Sequence, residues 1–139
     1  MITKEIEIDG QKYRLTKLSA LNQLPVLKDV LPLIHKAMKV FMAGNKIEKK
    51  EGEEIVIADV LSSPFITNMV EELQSLDSAV LERIVKTFLA KTESIGAVTL
   101  PLLNDKGDIY NDNIEVDTVL LLVKEHILLN FEKYLKWLQ

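Results

Sequence analysis

The 139-residue chain contains no cysteine. A disulfide framework, thiolate catalysis and thiolate metal ligation are therefore excluded, and the compartment is left open, with the cytosol the simplest choice. Glycine is scarce. The five glycines stand apart, so neither a GxxxxGK phosphate loop nor a GxGxxG turn can be written. No GxSxG nucleophile elbow occurs either. Long apolar runs are also missing. The longest clean aliphatic run, Val119 to Val123, is interrupted by Lys124-Glu125-His126 and falls far short of the ~20 residues a membrane span needs. The opening MITKEIEIDG has no apolar core of signal-peptide length. An excess of basic charge is absent too. With 21 acidic and 17 basic residues the net charge is -4, which argues against binding to nucleic-acid phosphates or anionic lipid. The expectation is a chain neither exported by a cleavable signal nor inserted in a membrane.

Metal-ligating residues are few. Histidine occurs twice, as His35 and His126, each in a helical stretch with a lysine within two residues. A zinc pair needs a second ligand a turn away on the same face. Positions 39 and 130 are Lys39 and Asn130, so both histidines read as partly exposed helical residues. The acidic run Asp105, Asp108, Asp112, Glu115, Asp117 fails the calcium-loop pattern. A glycine at loop position 6 would place Leu102, Asn104 and Lys106 at the ligand positions. A solvated turn is the reading there. No metal, cofactor or catalytic residue is assigned. An acid–base pair assembled only in space is not visible to a sequence.

What the chain has is aliphatic helix. Its 47% hydrophobic content is ordinary for a globular protein, and its length suits one domain with a sizeable core. Along residues 114–138, Val116, Leu120, Val123, Ile127, Phe131, Tyr134 and Leu138 recur at spacings of three and four. Leu121, Leu128 and Leu135 add a second stripe, and Val119, Leu122 and Leu129 add more. One wet-faced helix does not need so many. It is expected to have neighbours on two sides, or neighbours on one side and a partner protein on the other.

The remainder reads in order. Residues 2–18 alternate around Asp9-Gly10 and predict a β-hairpin. Ser19 or Asn22 can cap a helix with Leu24, Leu27, Leu31, Ile34, Met38 and Phe41 along one side. Pro32 predicts a kink or break in it. Residues 44–54 are charged and predict a mobile loop. Helix resumes near Ile55, and Ser63-Pro64 starts another. Asp77 caps a helix carrying Val80, Leu81, Ile84, Val85, Phe88 and Leu89. Residues 93–113 predict loop or a second small hairpin turning at Lys106-Gly107. The predicted fold is mainly α, a bundle of about five helices with the N-terminal hairpin and that second hairpin. Residues 1–139 form a single domain: hairpin 1–18, helices 19–92 with the loop at 44–54, loop or hairpin 93–113, and a long C-terminal helix 114–138.

The tail gathers Phe131, Tyr134, Leu135, Trp137 and Leu138, including the only tryptophan. These residues either finish the core or form an anchor patch for another protein, where Trp and Tyr carry much of the binding energy.

Three stretches together are familiar. They are Ile8-Asp9-Gly10-Gln11-Lys12-Tyr13-Arg14-Leu15 followed by Leu18-Ser19-Ala20, then Ser75-Leu76-Asp77 with Leu81, then Leu128-Leu129-Asn130-Phe131 with Tyr134 and Leu135. The combination resembles the tail assembly chaperones of tailed bacteriophages. That resemblance implies a non-enzymatic protein made in the host cytoplasm and absent from the mature virion. It implies the tape-measure protein and the tail-tube protein as partners. It implies no nucleic acid, membrane or cofactor, and leaves homo-oligomers open. A holder of such a client would use side chains that re-pack, and Met38, Met42 and Met69 lie on predicted inner faces. The alternative is a helical interaction module or prophage-encoded regulator that sequesters a host or phage protein.

Overall fold

The computed structural model describes residues 2–44, 63–110 and 114–137, apart from the side chains at 38, 40–44, 63–66 and 134–137. Of the loop predicted at 44–54, Gly44 is the last residue of the first helix, and residues 45–54, with the helix resuming near Ile55, lie outside the described residues.

The N-terminal hairpin forms as expected. Strand β1 (Thr3–Ile8) pairs antiparallel with β2 (Gln11–Thr16), with Ile6 opposite Tyr13. Asp9 and Gly10 join them at φ 50 and 82°. Both angles are positive, as a two-residue hairpin turn that follows the strand twist requires. Tyr13 and Leu15 are buried and Ile6 and Ile8 half-buried, so alternation gives the hairpin one apolar face.

Helix α1 (Ala20–Gly44) follows, then α2 (Ser63–Gln74), α3 (Ser78–Leu89) and, last in the chain, α4 (Val116–Trp137). Asp77 caps α3 by accepting from the Ala79 N–H at 3.0 Å. Between α3 and α4 lie β3 (Thr92–Ile95) and β4 (Leu100–Pro101).

The mainly-α bundle of five helices is thereby corrected. Among the described residues there are four helices and one four-stranded antiparallel sheet in the order β1-β2-β3-β4. The fold is mixed α and β. The cause is β3. Its sequence, TESI, is short and polar and has no alternation to mark it. It is a strand because the open edge of β2 receives it, Leu15 against Thr92 and Lys12 against Ile95. A hairpin alone is marginal, and lateral pairing supplies the third strand it needs. Among the described residues the predicted second hairpin is a single bridge, Leu103 to Ile109. Asn104 Oδ1 organises its turn by accepting from the N–H groups of Lys106 and Asp108.

Helix α4 lies between two apolar groups. Leu120, Val123, Ile127 and Phe131 pack with Val30, Ile34, Met69, Leu73, Ile84 and Phe88 of the other helices. Leu122, with Val119 and Leu129 beside it, packs with Tyr13, Leu15 and Leu102 of the sheet layer. Of the two expectations for its excess of aliphatics, neighbours on both sides is the one found over the described side chains.

Helix α1 differs from its expected orientation. The buried positions are Val26, Val30, Leu33, Ile34 and Ala37, while Leu24 is exposed. Against the predicted stripe this is a rotation of about one residue, ~100°. The prolines account for it. Pro25 and Pro32 cannot donate to the carbonyls of Leu21 and Lys28, which must then find water. The helix runs unbroken through both prolines, and Leu21, Pro25, Lys28 and Pro32 lie on or beside its exposed face.

Candidate functional site

The proposed tail anchor divides. Phe131 is 1% exposed and belongs to the core. The helix backbone continues through Trp137. The side chains of Tyr134, Leu135 and Trp137, and all of Leu138, lie outside what is described.

The body of α4 cannot be given to a partner. Leu122, Val123, Ile127 and Phe131 are each at most 1% exposed. Burying a large apolar side chain stabilises by roughly 1.5–3 kcal/mol. Exposing these four would cost about 6–12 kcal/mol, comparable with the ~5–15 kcal/mol that holds a whole domain folded.

Polar side chains fix this helix in place. His126, expected to be partly exposed, is fully buried and stacks on Phe88 with ring centroids 5.1 Å apart. Its Nε2 lies 2.7 Å from Thr92 Oγ1. The Thr92 hydroxyl donates its one proton to the Phe88 carbonyl at 3.0 Å, so it accepts from Nε2–H. Nδ1 is then a bare, buried acceptor with no partner among the described residues. Burial pushes the His126 pKa down to about 3, against a smaller upward pull from Glu125. The ring is neutral at pH 7 and lines none of the surface clefts described below. One turn on, Asn130 Nδ2 donates to the His126 carbonyl at 2.8 Å. Asn130 Oδ1 accepts from the Leu18 N–H at 2.9 Å and from Gln23 Nε2 at 3.1 Å. The neighbour that makes a poor zinc ligand is the residue that ties α4 to the start of α1.

That start of α1 is where apolar surface is open. One cleft of about 420 Å³ lies where Ile2, Lys17, Ala20 and Lys91 meet. A second of about 390 Å³ lies between α1 and α3, floored by Val26 and Ile84. Both are lined by Leu18, Asn22 and Lys91, so they run together as one groove. Its rim is partly apolar as well, since Ile2, which lines the first cleft, is 60% exposed. Leu21 and Leu24 are exposed on α1 but line neither cleft. Scattered apolar side chains on a surface need no explanation, but an open cleft with an apolar floor marks an interaction surface. One end is closed by Arg83, whose Nε and Nη2 each donate to an Asp29 carboxylate oxygen at 2.9 Å. That contact holds the Asp29 carboxyl below its usual range. A third, polar cleft of about 270 Å³ lies beside Asp9, Tyr13 and Glu115. Among the described residues no three His, Asp or Glu side chains gather to hold a metal ion, and no helix is long and apolar enough to cross a membrane.

The family model described as "Phage tail assembly chaperone protein, TAC" matches residues 9–137. The chain belongs to the phage tail assembly chaperones. No curated protein and no solved structure matches it. In this chaperone the match begins in the β1–β2 turn and runs through the groove, the His126–Asn130 pair and the last turns of α4. The groove has no mark in the sequence, because Leu18, Val26 and Ile84 come together only in space. Leu24, predicted in the buried stripe of α1, is exposed and lines neither cleft. The prolines mark the wet face, since two of them seven residues apart keep one side of a helix solvated.

Proposed function

We propose that this chain is a non-enzymatic chaperone that holds the tape-measure protein soluble in the host cytoplasm and brings tail-tube subunits to it. It leaves before the virion is mature. The observation that carries this reading is the open apolar groove at the start of α1 in a member of the tail assembly chaperone family. A tape-measure protein is long, helical and apolar-rich, and an exposed apolar stripe aggregates unless covered. A groove that receives an amphipathic helix is the recognition mode such a client calls for. Tyr134, Leu135, Trp137 and Leu138 would extend the docking surface. They follow Asn130, which is tied to two groove residues, Leu18 and Gln23. Phe131 has no part in docking, because it is inside.

Co-expression with a fragment of the cognate tape-measure protein tests this. The expected result is a soluble fragment that co-purifies with the chaperone. An insoluble fragment, or a soluble one that elutes alone, would count against the reading.

A further inference from the structure

We infer that the groove at the start of α1 selects a helix whose apolar stripe is flanked by acidic residues. The inference rests on the chaperone reading of the same groove and adds the chemistry of its occupant.

Charge carries it. The molecule is acidic, with a net charge of -4, yet this groove is rimmed by cations. Lys17 and Lys91 line it and are neighbours, since the Thr16 N–H donates to the Lys91 carbonyl at 2.9 Å. Among the described residues neither lysine forms an ion pair with a carboxylate. The other lysines that are close to acids use them, as Lys4 and Lys124 use Glu125 and Lys86 uses Glu82. The one carboxylate lining the groove, Asp29, is engaged by Arg83. The lining therefore presents two uncompensated positive charges beside an apolar floor. Complementary charge at the rim of an interface selects partners and register.

The shape fits a helix. Over part of its length the trough is walled by two helices, α1 and α3. The side-chain ridges of a third helix fill such a trough. A strand would need an open sheet edge, and the α1–α3 part of the groove offers none. Apolar contact with Ile2, Leu18, Val26 and Ile84 would supply affinity, and Lys17 and Lys91 would choose between helices of equal greasiness.

The test titrates the full chain with two synthetic amphipathic helical peptides. They share one leucine stripe and differ only in flanking residues, glutamate in one and lysine in the other. The glutamate peptide is expected to bind about tenfold more tightly at low salt, with the difference shrinking as salt rises. In the double variant K17E/K91E the preference should reverse, and I2S, which trims an exposed apolar residue of the lining, should weaken both peptides alike. Equal binding of the two peptides, binding of neither, or a preference untouched by K17E/K91E would overturn the inference. So would self-association through the groove, seen as a dimer that I2S dissolves and the peptides cannot displace. Tape-measure co-purification separates this from the chaperone reading. A client that still co-purifies with K17E/K91E at wild-type yield leaves the function standing and the acidic preference refuted. A glutamate peptide that binds, with no client captured by the wild type, does the reverse.

Discussion

The Leu18 backbone N–H donates to Asn130 Oδ1 across 2.9 Å, joining residues 112 positions apart in a buried hydrogen bond. Leu18 lines the groove and Asn130 lies on α4, so one side chain sets the groove's floor against the core.

Asn130→Ala is expected to destabilise the chain by about 1–3 kcal/mol, because a buried N–H loses its partner. Urea unfolding reads this as a lower midpoint at unchanged slope. Gln23→Ala removes only the half-buried donor to the same oxygen and should cost less. Equal losses in the two variants would show that the buried Leu18 N–H is not what Asn130 serves.

His126 makes stability depend on pH. Its folded pKa is about 3 against an ordinary 6.5. Between those values the unfolded chain binds the proton and the folded chain does not. Stability is therefore full above pH ~6.5 and falls as pH drops, by up to about 1.4 kcal/mol per pH unit. Asp29 and Glu125, both with lowered pKa values, lose their contributions only below the usual carboxylate range. Denaturation midpoints between pH 7 and 5.5 thus isolate the histidine. His126→Gln should flatten the slope in that window, and an unchanged slope would mean the ring is not the group responsible.

The two ends of the aromatic tail should behave oppositely. Phe131→Ala empties a fully buried site and is expected to cost about 3–5 kcal/mol. Trp137→Ala with Tyr134→Ala is expected to weaken client binding more than it lowers the melting temperature. A large drop in melting temperature with intact binding would move those two residues into the core.

What was legible in the sequence was local. Asp9-Gly10 between alternating segments sufficed for the hairpin, and Asp77 before a clean stripe sufficed for α3. What was not legible needed a distant partner. Thr92–Ile95 becomes a strand only because β2 lies beside it. His126 is buried because Thr92 and Phe88 meet it from the end of α3 and the start of β3. The face of α1 that stays wet is marked by Pro25 and Pro32, whereas leucine spacing alone points about one residue away from the buried face. Among the described side chains of α4 the aliphatic stripe from Leu120 to Phe131 is sealed, and an open groove lies at the start of α1.

The most direct test is the dissociation constant of a tape-measure fragment for wild type and for the double variant Ile2→Ser, Pro25→Ser. Both side chains line the groove and face solvent, so the melting temperature should not fall. Binding should weaken by about tenfold or more, some 1.4 kcal/mol. An unchanged dissociation constant would contradict the assignment of the client to the start of α1.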